Sequence, residues 1–299
     1  MRSKLARLAL ALALVLAALG APPVSAARTD HTIEYHGGPV LVGNQDVYVI
    51  WYGCWTQSGC DGTNARYNDQ ATMDIVTEFM GRLGGTPYFV INTEYTNVAG
   101  QTPSGAMFFA GSIVDNYSRG ATLTEADIAG VISHHIEAGD FPQDSFGIYI
   151  FVTSSDVTVE DGATKFCATC CNLHGTGVTL GVEFKYAFVG NPARCPNGCA
   201  SQFEGAASPN ANFAADAMVA WLAHAVNGMI TNPTNQGWYD RYGLENSEKC
   251  EGTFGPTQTM TNPDGQTAEF NVTFGPRRYL LQQNWVNEKK GRCALQISQ

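Results

Sequence analysis

The order of segments constrains this chain most: strand, helix, strand, helix, strand, each with its own periodicity. Asp46 to Tyr52 (DVYVIWY) is β-branched and aromatic, as a buried strand is, and Asn68 to Leu83 is an amphipathic helix closed by Gly84-Gly85. Strands are predicted at Tyr88 to Ile91 and Ala106 to Val114. Thr124 then caps a helix running to about Ala138, with Asp127 completing a capping-box-like pair. Gly147 to Thr153 (GIYIFVT) reads as the most buried strand of all. Alternation of this kind predicts an α/β fold, a single domain with a mixed β-sheet flanked by helices. A loop-rich, cysteine-rich stretch reaches about Cys199, interrupted by a strand at Glu183 to Val189. Beyond Cys250 short segments, Glu269 to Phe274 and Arg278 to Gln282, suggest a small C-terminal β appendage.

Residues 1–26 read as a signal peptide. Arg2, Lys4 and Arg7 form its basic region, Leu8 to Leu19 its apolar core and Val24-Ser25-Ala26 its cleavage site. Twelve apolar residues fall short of the roughly twenty that a spanning helix needs. The expectation is an exported protein without a membrane span after cleavage, its domain covering residues 27–299. Loss of three basic residues leaves 14 Lys and Arg against 27 Asp and Glu, a formal charge of −13. That balance argues against a nucleic-acid partner, because a phosphate backbone needs a basic patch.

All nine cysteines lie beyond the leader, where an oxidising compartment favours pairing. Cys54 and Cys60 bracket a short turn, and Cys250 and Cys293 flank the C-terminal region. Cys167 with Cys171 and Cys195 with Cys199 make two C-x3-C clusters, and Cys170 is the expected spare thiol. Spacing leaves the connectivity open. The alternative for the two clusters, joined by His174, is a zinc site. Asn116 and Asn271 open N-glycosylation triplets.

The helix-like stretch Asn212 to Ile230 carries one histidine, His224. At 3.6 residues per turn, Ala217, Trp221, His224 and Gly228 share a stripe. In a metallopeptidase helix the residue after the first histidine is the general base, and a second ligand follows one turn later. Ala225 and Gly228 stand there instead. The sequence therefore predicts a hydrolase scaffold with no catalytic residues. His224 is expected to be a hydrogen-bonded structural histidine, with Gly228, Ala217 and Ala220 forming a flat packing face. His134 and Glu137 read as a solvated helix face, Ser154-Ser155-Asp156 as a turn, and Gly175 to Gly181 as a glycine-rich loop. Trp55, Trp238, Tyr239, Tyr242 and Asn235 lie in loop-like segments and could present a sugar-binding surface.

Several ordered motifs resemble the EXORDIUM-like, or phosphate-induced, secreted proteins. They are Tyr35-His36-Gly37-Gly38-Pro39-Val40, Val49-Ile50-Trp51-Tyr52-Gly53 and Thr153-Ser154-Ser155-Asp156-Val157-Thr158-Val159. Phe166-Cys167 to Cys171-Asn172-Leu173-His174-Gly175, Val189-Gly190-Asn191, Cys195-Pro196-Asn197-Gly198-Cys199 and Thr231-Asn232-Pro233 continue the set. The resemblance spans about residues 33 to 295. It implies an extracellular protein of the cell wall or apoplast, linked in plants to growth and brassinosteroid response, with no settled reaction. Microbial members carry a His-Glu-x-x-Glu helix, an Asp-Pro and a downstream Glu that resemble a zinc peptidase site. Carried over, the histidine falls on His224 and the downstream acids on Glu245 and Glu248. The base falls on Ala225, the second ligand on Gly228, and the aspartate before proline on Asn232.

Catalytic zinc needs three protein ligands, an open position and a base beside its water. The favoured reading is therefore a non-catalytic protein acting at the cell surface or wall, in growth or nutrient-response signalling, with no cofactor. Its expected partners are wall polysaccharide or a surface receptor. One alternative is a divergent metallopeptidase holding zinc through His224, Glu245 and Glu248, or recruiting His174. The other is a carbohydrate-binding protein.

Overall fold

Val47, Val49 and Trp51 point to one side of the strand Gln45–Tyr52 (β1), and Tyr48, Ile50 and Tyr52 to the other, all of them buried. A strand apolar on both faces needs a layer of cover on each, which parallel α/β sheets supply. The computed structural model describes residues 32–56, 65–288 and 290–297. The leader, residues 1–26, and Cys60 lie outside them.

From β1 the chain enters helix α1 (Gln70–Leu83), whose first turn is capped by Asp69 accepting from the Thr72 amide. It returns parallel to β1 as β2 (Met107–Asp115). Helix α2 (Glu125–Glu137) opens on the reciprocal Thr124–Asp127 capping box and leads to β3 (Ile148–Thr153), parallel to β1 on its other side. A hairpin follows, β4 (Asn172–Thr179) and β5 (Val182–Val189), with β5 parallel to β3. The sheet order is β2-β1-β3-β5-β4, mixed because β4 alone runs antiparallel, at an edge. The long helix α3 (Phe213–Thr231), capped by Asn212, packs with α1 on the aliphatic face of the sheet. Helix α2 covers the tyrosine- and phenylalanine-rich face. Helix α3 is long and apolar enough to cross a membrane, yet 89% of its apolar window is buried inside the fold. Its apolarity is explained by its place between sheet and C-terminal hairpins.

The C-terminal region forms the hairpins Gln258–Thr261 with Thr267–Phe270, Val272–Phe274 with Arg277–Tyr279, and Asn284–Val286 with Arg292–Ala294. Disulfides Cys167–Cys195 and Cys171–Cys199 tie the loop before β4 to the turn after β5, and Cys250–Cys293 ties the appendage to the segment before it. Cys54 is disulfide-bonded, and Cys170 is the free thiol. The zinc alternative for the two C-x3-C clusters is thereby corrected, because a sulfur spent in a disulfide is no metal ligand.

Two local expectations also need correction. The stretch expected as a strand at Tyr88 to Ile91 is a 3-10 helix, Phe89–Glu94. Tertiary anchors override its β-branched content: Tyr88 donates to the Gln282 carbonyl, and the Asn92 amide bridges Phe89 O and Asn227 Oδ1. The glycine-rich segment expected as a loop is β4 and its turn. Gly175 and Gly177 lie under the rings of Tyr186 and Phe184 on β5, and a Cβ at Gly177 would meet Phe184 at 2.2 Å. Those glycines are required by close cross-strand packing, and they erase the side-chain pattern by which strands are read.

Candidate functional site

His224 stands midway along α3 and is only 7% exposed. Its Nδ1 is buried without a hydrogen-bond partner, and burial pushes its pKa down to about 4, so the ring is neutral at physiological pH. Ala225, the next residue along the helix, is fully buried in the core between α3 and the sheet.

One turn further on, Gly228 does not make the flat packing face expected of it. A Cβ there would lie 2.1 Å from Glu245 Oε2 and 3.3 Å from His174 Nε2. The missing side chain is the space into which the Glu245 carboxylate fits. That carboxylate is held on three sides. His174 Nε2, from the edge strand β4, is 2.9 Å from Oε2 and 3.1 Å from Oε1, and Asn232 Nδ2 donates to Oε1 at 2.7 Å. Asn232 Oδ1 also accepts from the Gly237 amide at 2.6 Å. The Glu245 amide donates to Glu248 Oε2 at 3.0 Å.

Burial alone would lower the His174 pKa, but its hydrogen bond to Glu245 and the charges of Glu245 and Glu248 outweigh that and raise it. A raised folded pKa contributes stability that is complete below the unfolded value and is lost as pH rises through the folded value. Denaturation measured across neutral to alkaline pH should therefore show stability declining above the unfolded histidine value of about 6.5. His174→Gln should remove that decline. An unchanged slope in the variant would refute the protonated His174–Glu245 pair. His224 acts with the opposite sign, because its lowered pKa costs stability as pH falls below about 6.5.

The segment bearing both acids is pinned from below. Asp240 Oδ1 accepts from the Tyr242 and Leu244 amides, and its Oδ2 accepts from Lys249 Nζ at 3.0 Å. The Lys249 ammonium lies 4.6 Å from the centre of the Trp285 ring. An amide ladder, Asn246 to Asn92 to Asn227, joins the segment to α3.

Above these groups runs a groove made of two adjoining cavities, about 310 and 260 Å³, which share Asn172, His224 and Glu248. The larger is walled by Trp221, Cys170 and Glu251, the smaller by His174, Asn235 and Glu245. Trp221 is fixed by its Nε1 donating to the Cys199 carbonyl at 2.7 Å, and its ring lies 5.6 Å from that of His224. The three residues considered for zinc, His224, Glu245 and Glu248, thus border one cavity. Among the described residues, however, no group of three or more His, Cys, Asp and Glu is placed to hold a metal ion. Glu245 is committed to His174 and Asn232 instead.

Other residues singled out in the sequence lie elsewhere. Ser154 Oγ accepts from the Cys54 amide and donates to Asp156, and Ser155 is bonded to Asn68, so this polar run locks a turn. Trp55 is 3% exposed, against Trp51, and Trp238 is wedged between Tyr35 and Tyr95 with its Nε1 on the Thr96 carbonyl. Tyr239 stacks on His36, while Tyr242 is exposed. Of the loop aromatics singled out, Trp55 is thus a core residue. Glu137 accepts from Thr179 Oγ1. Asn116 is exposed, whereas the Asn271 side chain is occupied by three backbone hydrogen bonds to Phe254 and Leu281. Sequence reasoning missed Trp221, Asn172 and Glu251 as groove residues. The stripe shared by Trp221 and His224 was the available signal; nothing in the sequence indicated that β4 lies opposite it.

Fold and groove define a disulfide-linked α/β protein with a single histidine, His224, on its buried core helix beside the groove. Residues 33–296 match the family described as "Phosphate-induced protein 1 conserved region", and the chain belongs to that family. It is 30% identical over 287 residues to Protein EXORDIUM-like 3 of Arabidopsis thaliana, covering 85% of this chain and 80% of that protein. Protein EXORDIUM-like 5 of Arabidopsis thaliana is 30% identical over 285 residues, covering 85% and 75%. Protein PHOSPHATE-INDUCED 1 of Nicotiana tabacum is 28% identical over 254 residues, covering 75% and 74%. No solved structure matches the chain.

Proposed function

We propose that this is a secreted, non-catalytic member of the family, acting at the cell surface or wall by binding a ligand in the groove between β4, α3 and the Asn235 to Glu251 segment. The observation that carries this reading is the Glu245 carboxylate in the space left by Gly228. An acid tied to His174 and to Asn232 is poorly placed to activate water, and Ala225 supplies no base. Disulfides support an oxidising, extracellular setting, as do the residues read as a leader. A role in growth or nutrient-response signalling fits the names of the relatives, with wall polysaccharide or a surface receptor as partner.

The test is hydrolysis of peptide and glycan libraries by the purified protein beside His224→Ala. The expected result is no turnover above buffer in either sample. Cleavage that survives purification and disappears in the variant would establish a divergent peptidase or glycosidase and overturn this reading.

A further inference from the structure

The hairpin of β4 and β5 runs on past the start of β3. Pairing of β5 with β3 begins at Lys185, and residues 182–184 with their partners 177–179 lie beyond that point, about 10 Å of ribbon. This ribbon is apolar where it meets water. Val178, Leu180 and Val182 are 68%, 66% and 37% exposed. Phe146, 57% exposed, stands in the segment tied to the hairpin by Gln143 on the Thr179 carbonyl and by Lys185 on the Ser145 carbonyl. The turn itself, Leu180-Gly181, has φ values of 49° and 77°. Positive φ at both central residues makes a turn that asparagine or glycine enters at least cost. Leucine there strains the backbone, and its exposed side chain recovers little by packing inside the fold.

The apolar groups surround the tip rather than lining one side of it. Val178 pairs with Glu183 and Val182 with Thr179, and adjacent rungs present opposite faces of a ribbon. The two valines therefore stand on opposite faces, with Leu180 at the end. A flat partner would cover one face and leave the other wet, whereas a continuous apolar medium covers both. Depth agrees, since interfacial segments sink about 5–10 Å below a bilayer surface. The flanking charges select among surfaces. Glu183 is exposed, Asp144 accepts from the Phe146 amide, and Glu137 accepts from Thr179 Oγ1. The Lys185 side chain is 13% exposed and is held by Glu183 and the Ser145 carbonyl. Such an acidic collar is repelled by anionic lipid, and it complements the ammonium at the outer end of a zwitterionic headgroup.

We propose that the β4–β5 tip, Val178, Leu180 and Val182 together with Phe146, inserts into the surface of a zwitterionic phospholipid bilayer and holds the protein there reversibly. The tip is at the far end of β4 from Asn172 and His174, which border the groove, so the two sites are separate and this inference does not depend on what the groove binds.

The experiment is sedimentation of the intact protein with phosphatidylcholine vesicles, and with vesicles carrying about one third phosphatidylserine, beside Leu180→Met and Leu180→Asn. The parent and Leu180→Met should sediment with phosphatidylcholine, and Leu180→Asn should weaken partition about tenfold or more. Leu180→Asn should also keep or raise the melting temperature, because asparagine suits the turn, and that pairing separates a lost contact from a lost fold. Phe146→Ser, at a second exposed position, should weaken partition as well. Equal partition of Leu180→Asn and the parent overturns the inference. So does tighter binding to the anionic vesicles, or no sedimentation up to about 5 mM lipid. A dimer seen by analytical ultracentrifugation without lipid, and dissociated by Leu180→Asn, would make the tip an interface between copies and overturn the lipid reading. A purified cell-surface protein that binds the parent but not Leu180→Asn, with vesicles left unbound, would assign the tip to a protein partner and overturn it equally.

Discussion

Lys249→Met should lower the unfolding free energy by about 3–5 kcal/mol, the cost of leaving one member of a buried ion pair alone. Lys249 and Asp240 side chains are both 0% exposed, with 3.0 Å between Nζ and Oδ2. Removing the ammonium strands a carboxylate that retains only the Tyr242 and Leu244 amides, and it also removes the cation beside Trp285. The double variant Asp240→Asn with Lys249→Met removes both charges and should recover most of the loss, because the pair itself contributes far less than its half costs. Urea denaturation of the four proteins forms the test cycle. A single variant within 1 kcal/mol of the parent would mean the pair is solvated in solution, contrary to its burial here (order-of-magnitude threshold, about one typical hydrogen bond).

The pH dependence of this pair follows from its sign. Burial would raise the Asp240 pKa, but Lys249 and the two backbone amides outweigh it and hold the carboxyl below its ordinary value. Its stabilisation is therefore present above the unfolded value, about 3.9, and is lost as pH falls through the lower folded value. The double variant should show a shallower acid limb than the parent.

Gly228→Ala is the second large effect, and its sign depends on Glu245. Alanine is the better helix former by about 1 kcal/mol, so an exposed site would gain stability. Here the Cβ would stand 2.1 Å from Glu245 Oε2. The carboxylate must leave its place between His174 and Asn232, giving up charge-assisted hydrogen bonds of about 1.5–3 kcal/mol each. A net loss of about 2 kcal/mol is expected once the helix gain is set against it. In a Glu245→Ala background the oxygen is gone, and only the 3.3 Å approach to His174 Nε2 remains. Gly228→Ala should there become neutral or stabilising by up to about 1 kcal/mol. The same sign in both backgrounds would show that Glu245 does not occupy the space beside Gly228.

Most regular elements were legible because their signals are local. The Thr124–Asp127 box starts α2 where the sequence places it, and the burial of β1 and β3 on both faces follows from β-branched and aromatic runs. β4 was illegible because its two glycines are demanded by rings on the neighbouring strand, a reason that exists only after pairing. The Phe89–Glu94 turn failed for a related cause, since its anchors come from Asn227 and Gln282, far along the chain.

At the site, the sequence by itself determined which groups are available: one histidine on the core helix, alanine at 225, glycine at 228, and acids at 245 and 248. Tertiary structure alone decided which of them meet in the space beside Gly228. His174 and Glu245 are 71 residues apart, and they meet because β4 pairs antiparallel at the sheet edge beside α3. Absence of a side chain can be read from one position, whereas the occupant of the space it leaves depends on which distant segments the fold packs against it.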